Sequence, residues 1–179
     1  MALNVAEAGQ CLPPRRRPDQ LAIIDHELRF NPARVKLRQL LREDHIGNLL
    51  TAEFTRLGGE RLDPQLPWRW FDDAGQGGGT LGALGSHLLD LARWTVGRID
   101  RLSAQLQTAH LIRHDADTGE AKQVTADDYA HLQLLLAGAD TGYTLTVIGL
   151  PDGVGMTVLL VGTQGALRLD HQDRLWEAG

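Results

Sequence analysis

From residue 99 to residue 170 the chain reads as one strand after another, and that run limits the possible folds more than any other feature. Strand-like segments fall at 99–109, 128–137, 141–150, 154–162 and 166–170. "AGADTG", between Leu136 and Tyr143, has the composition of a hairpin turn, and "LPDGVG" that of a second turn. Consecutive strands with short turns pair antiparallel. The first half supplies helices instead. A short one at 2–11 stops before Pro13 and Pro14. "LAIIDHELRF", Leu21 to Phe30, is predicted as a strand. In "NPARVKLRQLLREDHIG", Asn31 is the predicted N-cap, Pro32 fills the first turn and Gly47 is the C-terminal stop. Val35, Leu37, Leu40 and Leu41 form its apolar side. A strand follows from Asn48, then a long irregular stretch from Gly58 to Gly79, and then a helix at 80–96. Helices early and strands late predict an α+β fold, an open, mostly antiparallel sheet with helices packed on one face and no Rossmann domain in this chain.

Bulk properties narrow the partners. A length of 179 residues suits one domain with a real core. The net charge of −5 argues against a broad nucleic-acid surface. The basic run Arg15 to Arg17, set between prolines, reads as a solvated linker rather than a binding patch. Cys11 is the single cysteine, so no internal disulfide forms. There is no apolar stretch of about 20 residues to span a bilayer, and no signal-peptide pattern at the start. The expectation is a cytoplasmic protein with neither nucleic acid nor membrane as partner.

The stretch "GGGTLGALGSHLLDLARW", Gly77 to Trp94, holds five glycines in its first nine residues. Many phosphate-loop patterns fit such a run by chance, so helicity is the better test. Leu81, Leu84, Leu88, Leu91 and Thr95 are spaced as one helical stripe. The helix is predicted to start at Thr80 as N-cap and to end at Val96 before Gly97. A second stripe, Ala83, His87, Asp90 and Trp94, lies roughly 100° around. Gly82 and Gly85 keep the helix thin, through close packing or the approach of a ligand. His87 reads either as a packed residue, with Asp90 pairing to Arg93, or as a general acid/base beside a carboxylate. His87 and Asp90 could also share a metal, but a third and fourth ligand are not evident, and no metal site is expected.

Taken together, "HELRFNPA", "IGNLLTAEF", "WRW…GGGTLGALGSHLLDLARWTVG", "VTADDYAHLQLLLAGADTG" and "VGTQGALRLD" resemble the C-terminal half of Gfo/Idh/MocA oxidoreductases, over nearly the whole chain. The resemblance implies the substrate-binding and oligomerisation half of an NAD(P)-dependent enzyme acting on a sugar or polyol hydroxyl, and a homo-oligomer formed through the sheet face. It also implies that His87 is the catalytic residue, with Asp90 in the same pocket. The cofactor, NAD or NADP, belongs to the complete protein; this chain alone is expected to hold none and to be inactive. Arg29, Trp68 and Trp70 are further substrate-binding candidates, since sugars stack on aromatic faces and arginine donates to hydroxyls. For the two tryptophans, pinning the long loop is an equally good reading.

Two departures from the family stand out. Many members carry an aspartate four residues before the histidine, where this chain has Ala83. The start, "MALNVAEAGQ", resembles the segment just after the family's Glu-Lys-Pro motif, so residues 1–20 are read as a helix and linker from the junction to a cofactor domain. Residues 21–179 are read as a single substrate domain, truncated at its C-terminus. The alternative is a non-catalytic binding or dimerisation module derived from the same family.

Overall fold

The computed structural model describes residues 2–11, 23–59, 61, 63–136, 142–149 and 155–179. Its centre is a seven-stranded sheet in the order β2-β5-β6-β1-β7-β8-β9. The strands are β1 (Leu49–Gly58), β2 (Ile99–Gln107), β5 (Tyr129–Leu136), β6 (Gly142–Gly149), β7 (Gly155–Gly162), β8 (Ala166–Leu169) and β9 (Leu175–Ala178). The short β3 (Ile112–His114) and β4 (Ala121–Gln123) form a separate hairpin. Five of these strands match the predicted run; β9 and the small hairpin were not foreseen. Every sheet pairing is antiparallel except β1 with β6. That exception corrects the expectation of sequential pairing: β1 inserts between β6 and β7, so these two do not neighbour each other. The sequence-adjacent strands look like a hairpin, yet β1 takes β6 on one edge and β7 on the other. Most residues of the two expected turns, 137–141 and 150–154, lie outside the described residues, as do Leu21, Ala22 and Arg15 to Arg17.

Register sets which side chains share a face. Ala52 and Phe54 of β1 lie opposite Leu160 and Val158 of β7, which lie opposite Leu167 and Leu169 of β8. All are buried, together with Ala130, Leu132 and Leu134 of β5. Against this face pack α2 (Pro32–Arg42), through Leu37 and Leu40, and α3 (Ser86–Val96), through Leu88, Leu91 and Ala92. Each fully buried leucine contributes roughly 1.5–3 kcal/mol by leaving water. The opposite face carries Thr51, Glu53 and Thr55 of β1 and Thr157 of β7, and no helix of the described residues covers it. The α1 helix (Val5–Cys11) buries none of its residues.

Asn31 caps α2 as expected, its side chain accepting from Ala33 N, with Pro32 at the first turn. Two details of α2 differ. Val35 faces solvent while Arg34 is buried, its guanidinium donating to Asp173 Oδ1 at 3.0 Å. The helix also stops at Arg42 rather than at Gly47, because Asp44 already turns left-handed at φ 59°. Over its described residues, 23–30, the strand predicted for Leu21–Phe30 is absent. Residues 23–26 are irregular and Glu27–Phe30 make a single 3₁₀ turn. Its polar side chains bind α3 instead, Arg29 and His26 at Asp90 and Glu27 at His87.

The glycine-rich helix also differs at its start. Thr80 has helical dihedrals and makes no side-chain cap. Leu81–Gly85 form a π turn, with Ser86 N bonded to Leu81 O, before α3 begins. The cap comes from Asp127, whose carboxylate accepts from Leu81 N at 2.8 Å and whose backbone oxygen accepts from Thr80 N at 2.9 Å. Gly79 permits this approach: φ is 105°, and a Cβ there would stand 2.3 Å from Asp127 Oδ1. At Gly78 a Cβ would meet Phe71 O at 2.3 Å. Gly82 is under no such pressure: among the described residues a Cβ there meets Gly77 O at 3.6 Å and nothing nearer.

The preceding loop is pinned by a buried ion cluster. Arg113 and Arg61 both reach Asp72 Oδ1, Arg113 through Nε at 3.2 Å. Arg69 N donates to Asp72 Oδ2 at 2.8 Å. Arg113 also donates to the carbonyl oxygens of Asp63, Leu66 and Arg61. These bonds replace the water that an irregular loop would otherwise need.

Candidate active site

His87 and Asp90 lie three residues apart on α3, hence on one flank of it. The segment running into α2 crosses that flank and supplies three partners. Arg29 grips Asp90 with two parallel bonds, Nε to Oδ2 at 2.5 Å and the terminal nitrogen to Oδ1. Such fork-to-carboxylate pairs fix orientation as well as charge. His26 Nδ1 stands 3.1 Å from Asp90 Oδ1. Glu27 Oε2 lies 3.0 Å from His87 Nδ1, and the His26 and His87 rings meet edge to face at 5.4 Å. Asp90 therefore pairs with Arg29 and His26 rather than with Arg93.

Electrostatics follow from this packing. Burial pushes the Asp90 carboxyl up. The Arg29 hydrogen bond and the charges of His26, Arg29 and Arg93 outweigh it, so the net shift is downward. The Arg29 guanidinium is held above its ordinary value, mainly by the bond to Asp90. Asp90 is thus a fixed anion on this flank, not a proton donor. His87 is arranged differently. Its Nδ1 is buried and close to Glu27, but not aligned for a hydrogen bond. The side chain as a whole is 31% exposed, so its open surface lies elsewhere on the ring. A partly exposed imidazole with one nitrogen facing a carboxylate can take or give a proton.

An open cleft of about 500 Å³ adjoins this flank, lined by His26, Ser86, Asp90 and Arg93 on one side and by Ile99 and Leu102 at the start of β2 on the other. A second cavity, of about 360 Å³, lies at the π turn, lined by Arg61, Arg69, Trp70, Phe71 and Leu84. The expected site residues therefore divide. His87, Asp90 and Arg29 come together. Trp70 joins the helix through the second cavity. Trp68 is turned to the β3–β4 hairpin, where its Nε1 donates to Gln123 O at 3.2 Å and Lys122 lies over its ring. Ala83 is half-buried in the π turn and supplies no carboxylate. Sequence reading missed His26, Glu27 and Asp127, since none of them shares a local pattern with the helix it touches.

Among the described residues no group of three His, Cys, Asp or Glu side chains could hold a metal ion. Nor do they fit a dinucleotide cradle: the turn at Gly79 already faces the Asp127 carboxylate, which would repel a phosphate. Among the described residues no helix is long and apolar enough to cross a membrane.

Comparison with known proteins adds findings of three kinds. Residues 35–168 match the family model for the GFO/IDH/MocA C-terminal domain. An uncharacterized oxidoreductase of Synechocystis is 33% identical over 171 residues, which are 94% of this chain and 46% of that protein. The human glucose-fructose oxidoreductase domain-containing protein 2 is 28% identical over 86% of this chain and 39% of its own length. Among solved structures, an NAD binding oxidoreductase from Klebsiella pneumoniae superposes with a TM-score of 0.85 at 25% identity, covering 96% of this chain and 46% of that one. A levoglucosan dehydrogenase in complex with NADH and L-sorbose shares the fold, with a TM-score of 0.76 at 24% identity over 85% of this chain and 42% of its own. The chain spans less than half the length of these relatives.

Proposed function

Since the chain belongs to the GFO/IDH/MocA family, as its C-terminal domain, we propose that it is the substrate half of an oxidoreductase that oxidises a hydroxyl of a sugar or polyol. The observation that carries this reading is His87, partly exposed, with its buried Nδ1 beside Glu27 and the fixed Asp90 anion three residues on. The chain's own part is the proton. His87 accepts it from the substrate hydroxyl as the carbon gives up hydride, with the Glu27 carboxylate 3.0 Å from its Nδ1. Glu27 thereby offers His87 a carboxylate in a chain whose Ala83 supplies none. Arg29 holds Asp90 so that its free lone pairs can receive neighbouring substrate hydroxyls. Hydride chemistry belongs to NAD or NADP, which this half does not cradle, and the isolated chain is inactive.

The test is nicotinamide reduction, followed by absorbance, with a panel of sugars and polyols. The 179-residue chain is assayed alone and joined to a dinucleotide-binding domain of the family. Turnover is expected only in the joined form, and His87→Gln lowers kcat by about 100-fold or more. Turnover by the chain alone, or a joined protein indifferent to His87→Gln, contradicts the reading.

A second reading, a dimerisation module without chemistry, is favoured by the uncovered sheet face. That face presents Thr51, Thr55, Thr157 and Leu159 centrally and exposed Trp176 at the edge. In either reading this face joins two copies, and sedimentation should give a species of twice the chain mass. A monomer at high concentration counts against the assembly.

A further inference from the structure

The cluster that pins the long loop is not neutral. Among the described residues, Asp72 is the one carboxylate in contact with both Arg61 and Arg113. Both guanidiniums are almost wholly enclosed, with side-chain exposures of 10% and 0%. Arg113 spends its terminal nitrogens on backbone carbonyls. Arg61 gives Asp72 one bond, rests over the Phe71 ring at 5.0 Å, and has no partner for Nε among the described residues. Burying a second cation against a single anion is costly unless another negative group completes the site. Arg61 is also a wall of the 360 Å³ cavity, and Arg69 stands beside it at the surface. The other walls are Trp70, Phe71 and Leu84, two aromatic rings and an aliphatic side chain suited to a sugar ring. Leu84 is three residues before His87.

We propose that this cavity is an anion subsite, and that the substrate is a sugar or polyol bearing a carboxylate or a phosphate. The anionic group pairs with Arg61 and Arg69, its ring stacks on Trp70, and a hydroxyl reaches His87. This rests on the substrate-half reading, but its test is binding rather than turnover. Tryptophan fluorescence of the 179-residue chain is titrated with glucuronate, glucose 6-phosphate and glucose.

The expected result is that one or both charged sugars bind at least tenfold more tightly than glucose, with the stronger of the two identifying carboxylate or phosphate. Added salt weakens that preference, and Arg69→Ala, an exposed position that leaves the buried cluster intact, removes most of it. Arg61→Lys keeps the charge but loses the fork, and should reduce it in part. Equal affinity for charged and neutral sugars overturns the subsite while leaving the His87 reading standing. So does a preference untouched by both variants, and so does no binding of any of the three.

Discussion

At the scale of single residues, the pairings around α3 make distinct demands. Asp90 is nearly enclosed and held by Arg29, so Arg29→Ala strands a carboxylate with His26 as its remaining contact. The expected loss is about 1.5–3 kcal/mol in urea unfolding at neutral pH, the worth of a hydrogen bond to a charged group. The sign with pH is fixed by the depressed Asp90 value. Its contribution is fully present above the ordinary carboxylate value and fades as pH falls below it through the lowered folded value. Wild type and Arg29→Ala should therefore differ most at neutral pH and converge in acid; a difference growing in acid contradicts the assignment. Glu27 acts through His87, so Glu27→Gln should lower kcat in the joined enzyme and leave KM nearly unchanged. A plain fall in stability with kcat unmoved would make Glu27 structural only. Neither His26 nor Glu27 was legible beforehand, because they meet α3 from some sixty residues away.

At the scale of elements, the helix start is the sharpest case. Asp127 caps it from 46 residues away, and a cap so distant leaves no S/T/D/N signature before the apolar run. Asp127→Ala should cost about 1 kcal/mol, the usual worth of a lost cap. Burial raises the Asp127 carboxyl above its ordinary value despite the bonds to Leu81 and Thr80. Its charged form is therefore penalised as pH rises through that raised value. Asp127→Asn keeps an acceptor and escapes the penalty, so it should match or exceed wild type at neutral pH in thermal unfolding. The glycines divide likewise. Gly79→Ala forces a Cβ onto Asp127 at positive φ and should destabilise, whereas Gly82→Ala meets nothing closer than 3.6 Å and should stabilise by up to about 1 kcal/mol. The strands with long apolar alternation were legible because one buried face dictates their period. The three-residue strands of the β3–β4 hairpin carry too few alternations to be read, and the Leu21–Phe30 segment has strand composition while its described polar residues bind α3.

At the scale of the whole molecule, the sequence spoke for layers but not for order. Helices on one face of an open sheet follow from composition along the chain; the insertion of β1 between β6 and β7 does not, since nothing local distinguishes a strand that pairs on both sides. The long loop belongs to this scale too, because Asp72 ties it to Arg113 of the hairpin and Arg61 at its own start. Asp72→Ala should cost about 3–5 kcal/mol by leaving two buried guanidiniums without a counter-charge. In a chain of this size that is a fall in Tm of roughly 6–20 °C. In the proposed function His87 faces a sugar or polyol hydroxyl, and NMR of its ring in the 179-residue chain tests that most directly. Assigned by comparison with His87→Gln, the His87 signals should move and saturate as the preferred sugar is added. Saturable binding that shifts other resonances and leaves those of His87 unmoved would contradict it.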